Sequence, residues 1–413
     1  MDNKDFKIYI VGAGVSGLVA AQVLENKGYH PIILEASDRA GGRVKTDIKK
    51  GFQLDRGFQV LLSSYPAAQK YLDFKALKLQ KLKPGAVIFK KGKQQVIGDP
   101  LRDISTLFST LFSRIGTLSD KFKILQLNLK LKNKSMEAIF SSDEISTKEY
   151  LQEFGFSSQI IAQFFTPFFT GIFLENELTT SSRMFEFVFK MFGEGLAVIP
   201  QGGMEEISKQ LIANLSNTTF QYNTKVTSVS DEKIILYTGD KLASAATIIA
   251  TDTSKLIKNV SQKHLSWKSC QTLYFTSKKR IINKPMIGLI CNEYSLVNNI
   301  FYHTSVATHS NNTEELLSVT VVKEHQLSEE QLIATVKKQL KEECHVDTIT
   351  FLEIYSIKRA LPDLKNIKYD VSPSEIKLSS GIYLAGDVQL NGSLNAAMIA
   401  GEKAALQVIA SLK

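Results

Sequence analysis

The sequence predicts an α/β protein of two domains, one of them assembled from separate stretches of chain, and three observations carry that expectation. Residues 7–11 (Lys-Ile-Tyr-Ile-Val) form a short β-branched run that ends in glycines and leads into Leu18, Val19, Ala20, Ala21, Val23 and Leu24, the pattern of strand, tight turn and helix. The end of the chain repeats this grammar, with a strand over residues 382–385, a Gly386-Asp387 turn and a small-residue helix over 394–412. Between the two lie an amphipathic helical stretch and then a long series of strand patterns. At 413 residues the chain has room for two or three domains.

Taken in order, the first helix should end near Gly28, and residues 31–35 read as a second buried strand that completes a βαβ unit. Ile104, Leu107, Phe108, Leu111, Phe112 and Ile115 recur at helical spacing, and Leu118, Phe122, Leu125 and Leu129 extend the stripe, so this region is expected to be helical. The pattern turns to strands at Val226 and Ser228, then over 233–237 and 246–251. Further strands are expected over 271–276 and 316–322, with a helix over 329–343.

No apolar run reaches the roughly 18–20 residues of a membrane-spanning helix, and the polar start does not read as a secretory signal, so a cytoplasmic location is expected. Cys270, Cys291 and Cys344 are odd in number and far apart, and the six histidines never pair at metal-binding helical spacing; neither a disulfide framework nor a metal site is expected. The net charge of +9 is concentrated, because residues 75–93 carry seven lysines and no acid while 111–134 carry six basic residues against Asp120. Such a face can attract nucleic acid, anionic lipid or an acidic substrate, and otherwise is a solvated lysine surface. It contains no recognised nucleic-acid motif and few interleaved aromatics, so no nucleic-acid partner is expected.

The first motif is Gly12-Ala13-Gly14-Val15-Ser16-Gly17 between the opening strand and helix. Gly12 permits the tight turn, Gly14 lets the backbone approach a pyrophosphate, and Gly17 lets the helix pack on the sheet, while the helix N-terminus offers N–H groups and a positive dipole end. Glu35 follows at the end of the second strand, where a carboxylate accepts hydrogen bonds from ribose hydroxyls and disfavours a 2′-phosphate. The pattern therefore predicts a Rossmann-like site for FAD or NAD. Next comes Glu35-Ala36-Ser37-Asp38-Arg39-Ala40-Gly41-Gly42-Arg43, in which two adjacent glycines and a guanidinium make a second anion cradle.

This Arg-x-Gly-Gly-Arg run resembles the second flavin motif of the flavin amine oxidase superfamily, which includes monoamine and polyamine oxidases, protoporphyrinogen oxidase and phytoene desaturases. The resemblance selects FAD, with Ala36, Arg39, Gly41 and Gly42 in the motif and Arg43 along the pyrophosphate. It extends to residues 52–57, after which Gly57, Phe58, Gln59 and Val60 would line the flavin ring. Ile199-Pro200-Gln201-Gly202-Gly203-Met204 is similar to the element that returns the chain to the FAD domain, Val226 falls where backbone contacts adenine, and Ala250 and Thr251 end the closing strand. Gly386 and Asp387, followed by Leu394, Asn395, Ala396 and Ala397, resemble the last FAD motif, in which the carboxylate bonds the ribityl or pyrophosphate part and the helix N–H groups face the flavin pyrimidine carbonyl. The implied organisation is a Rossmann-like discontinuous FAD-binding domain (1–75, 197–260 and 375–413) and a mixed α+β substrate domain (76–196, helical and Phe-rich, and 261–374, sheet-rich).

The resemblance implies an FAD-dependent oxidoreductase of the amine oxidase or desaturase type, taking a hydride equivalent from a hydrophobic or amine-bearing small molecule. Oxygen, a quinone or another electron acceptor would reoxidise the flavin. Lys268, Lys278 and Lys358 lie in the right half of the chain for a lysine near the flavin, but none aligns by motif and no catalytic side chain is assigned. The absence of an aromatic residue between Gly386 and Lys413 argues against a monoamine-oxidase-like aromatic pair, and the absence of Cys and His between Gly381 and Lys413 predicts non-covalent FAD. The phenylalanines of 164–192 are expected both as core and as the roof of an apolar cavity, and with the basic helix they suggest peripheral contact with a membrane surface. Two alternatives remain open: a redox-neutral flavin-dependent isomerase, and a basic lipid- or nucleic-acid-binding protein on a nucleotide-binding scaffold.

Overall fold

The computed structural model describes residues 3–98, 113–254, 256–257, 265–310 and 312–412. Five strands form a parallel sheet in the order Thr219–Gln221, Ile32–Leu34, Ile8–Val11, Ala246–Ile249, Ile382–Leu384, so three distant stretches of chain meet in one layer. Its central strands are buried on both faces, which is why they read as continuous apolar runs and not as alternating ones. The helices Val15–Glu25 and Leu394–Ser411 pack against each other through Leu18, Ala21, Ala400, Ala404 and Ala405. The small residues expected in the last helix serve this close approach. A three-stranded antiparallel sheet, Val226–Ser230, Lys233–Leu236 and Lys241–Ala243, covers the other side through Val229 and Ile234.

The second large sheet has seven strands, in the order Ile349–Asp363, Ser266–Ser277, Glu315–Val321, Val297–Tyr302, Ile287–Ile290, Gly85–Lys90, Lys93–Gly98. Helix Glu329–Cys344 buries Leu332, Val336 and Leu340 against Leu273, Phe275, Leu317 and Val319 on one face. The alternate residues, Thr272, Tyr274, Ser318, Thr320 and Asn299, occupy the opposite face and are buried as well. One expectation needs correction here: residues 76–196 are not purely helical, because the hairpin over Gly85–Gly98 extends this sheet, joined to it through Ile287–Ile290. Its turn places Lys91 and Gly92 both at positive φ, the geometry that suits a two-residue hairpin connection.

The helical part contains Leu118–Lys132, Met136–Ser141, Thr147–Glu153, Thr166–Phe173 and Ser182–Glu194. Thr117 and Asp120 form a reciprocal cap that starts the first of these, and Lys130 and Lys132 sit at its negative end. The earlier part of the expected helical stripe, Ile104 to Phe112, lies outside the described residues. Phe165, Phe169, Phe173, Phe185 and Phe187 are fully buried and form the centre of this part.

Candidate functional site

A cavity of about 1300 Å³ runs from the C-terminal ends of the parallel strands to the phenylalanine-rich helices. It is the position that open parallel sheets offer to ligands, since loops diverge there and helix N-termini converge. Gly12, Gly14, Val15 and Ser16 meet Gly41, Gly42 and Arg43 across its nucleotide half, with Gly14 and Gly41 joined by a backbone bridge. A Cβ at Gly42 would lie 3.1 Å from Gly14 Cα, so the two loops touch only because both are bare. A Cβ at Gly17 would lie 2.1 Å from Gly12 O, which explains why Gly17 is required though it is absent from the cavity wall. Helix Val15–Glu25 begins at Gly14 with no side-chain cap, so its first N–H groups are open toward the cavity.

Glu35 also lines the cavity. Its Oε2 accepts from Ala13 N at 2.8 Å and its Oε1 from Ser37 N at 2.9 Å, so the carboxylate is held in place before any ligand arrives. Gly57, Phe58, Gln59 and Val60 form the next part of the wall, and Ala250, Thr251, Gly386, Asp387, Leu394 and Ala397 close it. Arg43 donates to Asp387 Oδ1 at 2.5 Å and to Ala360 O at 3.2 Å. A bare double-glycine cradle, an open helix N-terminus, a fixed acid at the end of the second strand and a second helix start at Leu394 together fit a flavin dinucleotide.

Ala13, Gly17, Ala36, Arg39, Val226, Asn395 and Ala396 stand outside the wall. Ala13 reaches the site only through its N–H on Glu35. Arg39 bonds Glu205 Oε1 at 2.7 Å and Asp47 Oδ1 at 2.6 Å, tying the motif loop to the scaffold. Val226 packs into the small apolar core with Val11 and Leu34, and Asn395 Oδ1 accepts from Ala67 N at 3.0 Å. None of Lys268, Lys278 and Lys358 lines the cavity: Lys268 donates to Thr180 Oγ1, and the other two are exposed.

The substrate half is apolar. Phe164, Phe168, Phe169, Phe189, Phe192 and Met184 roof it, as expected, while Phe165, Phe173, Phe185 and Phe187 are core. Among the described lining residues the only carboxylates are Glu35, Asp252 and Asp387, all at strand ends of the nucleotide half. Polar side chains enter the other half from helix Leu118–Lys132, through Lys121 and Asn128, from Lys83, and from the seven-stranded sheet. Tyr355, Thr272, Thr320 and Asn299 occupy opposed positions on four neighbouring strands, and three of them line the cavity. Asn299 donates to Thr320 Oγ1 at 3.2 Å, and the fully buried Thr272 hydroxyl has no partner. Sequence reading missed this row. The alternation Thr272, Tyr274, Thr276 within an otherwise apolar strand was its only trace.

Among the titratable groups with shifted pKa values, Asp55 and His303 are buried and Asp47 is partly exposed. Burial pushes Asp55 up to about 6, although Thr46 Oγ1 and Met204 N donate to it, and the neighbouring Glu205 charge adds to the rise. Burial also opposes the Asp47 charge, but donors from Arg56, Arg39 and Tyr355 outweigh it and hold that carboxyl at about 2. His303, enclosed by Phe58, Phe301 and Tyr274, is pushed down to about 4 by burial and is therefore neutral at neutral pH.

Comparison with known proteins gives a consistent result. The family model for flavin containing amine oxidoreductase matches residues 15–409. Protoporphyrinogen oxidase 2 of Arabidopsis thaliana is 27% identical over 167 residues, covering 40% of this chain and 32% of that protein. An L-amino-acid oxidase of Bothrops moojeni is 32% identical over 159 residues, covering 36% and 32%. The chain thus spans about a third of the length of the curated relatives it matches. Among solved structures, putrescine oxidase bound to putrescine superposes with a TM-score of 0.72 at 17% identity, covering 98% of this chain and 99% of that one. A fatty acid isomerase from P. acnes gives 0.72 at 15% identity, covering 96% and 97%. At these identities the likeness to solved structures is one of fold.

Proposed function

Because the chain belongs to the flavin containing amine oxidoreductase family, we propose that it is an FAD-dependent oxidoreductase that takes a hydride equivalent from an apolar small molecule. The observation that supports the apolar reading over an amine is the composition of the substrate half, in which phenylalanines form the roof, Thr320, Asn299 and Asn128 supply polar contacts, Lys83 and Lys121 bring positive charge to the wall, and no described carboxylate is available to a cation. When bound, FAD supplies the electron sink for a C–H bond placed against it. Glu35 would accept from the ribose hydroxyls, and the loops at Gly12–Ser16 and Gly41–Arg43 would hold the pyrophosphate. The start of the last helix at Leu394, which lines the cavity, would lend its positive end to the negative charge that a bound flavin gains on reduction. The phenylalanine roof excludes water from the reacting C–H bond.

The FAD is non-covalent on this reading. Cys270 is the cysteine that lines the cavity, and burial pushes its thiol up to about 11, which keeps it protonated. Oxygen, a quinone or another carrier would serve as acceptor. Substrate would enter beside helix Leu118–Lys132, where Leu118 and Phe122 are 69% and 70% exposed yet line the cavity mouth, and Leu129 extends the stripe. The exposed Lys132 flanks that stripe, a combination suited to an anionic bilayer surface, while Lys123 donates to Gly155 O and Lys130 lies over the Tyr150 and Phe154 rings.

The test is an anaerobic visible titration of the purified protein with two panels, amines and apolar polyenes, porphyrinogens and long-chain fatty acids. Bleaching by the apolar panel is expected, and bleaching by amines alone overturns the apolar assignment. The apolar chamber, and the fold shared with a fatty acid isomerase, favour redox-neutral isomerisation as a second reading. Product formation that needs prior reduction and consumes no acceptor would select it.

A further inference from the structure

Trp267, the chain's single tryptophan, lines the cavity from strand Ser266–Ser277, where it is paired with Pro362 of strand Ile349–Asp363. Two guanidiniums lie against its ring: the Arg43 guanidinium carbon is 5.5 Å and that of Arg359 6.0 Å from the ring centroid. Each guanidinium is also anchored on an acid at the end of a nucleotide-sheet strand. Arg43 bonds Asp387, which follows Ile382–Leu384, and Arg359 bonds Asp252 at 2.7 Å, which follows Ala246–Ile249. Those two strands are parallel neighbours, so both acids stand at one edge. The stack therefore joins the seven-stranded sheet to the nucleotide sheet beside Gly42, Ala250 and Thr251.

We propose that Trp267 and Arg359 form a clasp that retains the bound dinucleotide, an inference that rests on the FAD reading above. An indole with two guanidiniums against its ring gains from the attraction of positive charge to the ring electrons, and each cation is fixed by its own carboxylate. Flavin departure along this wall then requires the stack to part. Of the three side chains in the stack, the family resemblance assigns a cofactor contact to Arg43 alone. Trp267 and Arg359 come from the other sheet and reach the site through the tertiary fold.

The test uses flavin-loaded protein diluted into buffer, with the rise of free-flavin fluorescence giving the release rate and tryptophan emission recorded in parallel. Since Trp267 is the chain's one tryptophan, its emission reports this position directly. Trp267→Ala and Arg359→Ala are each expected to release flavin at least tenfold faster, with Trp267→Phe restoring most of the retention. Wild-type emission should be quenched in the loaded protein and recover as flavin leaves. Release within twofold of wild type in both alanine variants overturns the clasp, as does a thermal midpoint that falls while release is unchanged. If Trp267→Ala does not fold, Arg359→Ala, with a side chain 55% exposed, carries the decision. A wild-type protein that binds no flavin overturns the FAD reading together with the clasp, whereas equal release from wild type and variants overturns the clasp alone.

Discussion

Arg43 Nη2 lies 2.5 Å from Asp387 Oδ1, an ion pair that closes 344 positions of sequence and joins the second glycine motif to the last one. Asp387 is nearly buried while Arg43 is partly exposed, so the acid is fixed and the guanidinium is presented to the cavity. Removing Arg43 leaves a buried carboxylate without its cation beside the anionic cofactor it would then repel. Arg43→Ala is therefore expected to weaken FAD affinity by at least tenfold, measured as flavin retained per protein after desalting and by titration of the stripped protein. Undiminished retention would remove Arg43 from the binding site.

Asp55 and His303 make opposing contributions to pH dependence. Asp55 has a folded pKa of about 6, above its ordinary 3.8, so the folded chain binds its proton more tightly and stability falls as pH rises from about 4 to 6. His303 has a folded pKa of about 4, below its ordinary 6.5, so the folded chain refuses a proton that the unfolded chain takes and stability rises over about 4 to 6.5. Each effect is worth up to about 3 kcal/mol and the two nearly cancel. Asp55→Asn should make stability climb with pH across this window, and His303→Gln should make it fall. Urea midpoints at pH 4.5 and 6.5 decide, and identical slopes in both variants would contradict the assignment.

Phe185 is fully buried against Phe169 at 4.8 Å and Phe165 at 6.1 Å, whereas Phe168 faces the cavity. Phe185→Ala should cost about 3–5 kcal/mol by opening a void in packed core. Phe168→Ala, which enlarges a space already present, should cost less than half of that. Chemical denaturation of the two variants measures the difference, and equal losses would mean that Phe168 is core.

For the proposed bilayer contact, Phe122→Asp is expected to abolish co-sedimentation with vesicles rich in phosphatidylglycerol at low salt, and 0.5 M salt should weaken the wild type. The substitution places a charge on an exposed position 70% accessible to solvent, so the fold itself should be unaffected. Wild-type protein that stays in the supernatant under both conditions rejects the membrane surface as its partner.

Much of the nucleotide half was legible because its constraints are local. Gly12 and Gly42 stand at positive φ, a requirement of the residue's own backbone, and Glu35 is set by the end of one strand. Arg39, in the same motif, pairs with Asp47 and Glu205, which come from elements that no local pattern brings together. The hairpin over Gly85–Gly98 went unread because its apolar residues acquire a sheet only when Ile287–Ile290 arrives beside them.

By itself, the sequence determined the strand-turn-helix units, their glycine cradles, the acid that precedes the second motif and the concentration of aromatic residues that became roof and core. These follow from periodicity and from positions where no side chain fits, both of which are properties of short segments. Only the tertiary structure decided which polar groups line the apolar part of the cavity and which side chains meet at Trp267. Thr320 and Asn299 become neighbours through strand pairing, and Trp267 meets Arg43 and Arg359 only where two sheets end against each other. Such contacts depend on register and sheet docking, for which a linear pattern carries no local signal.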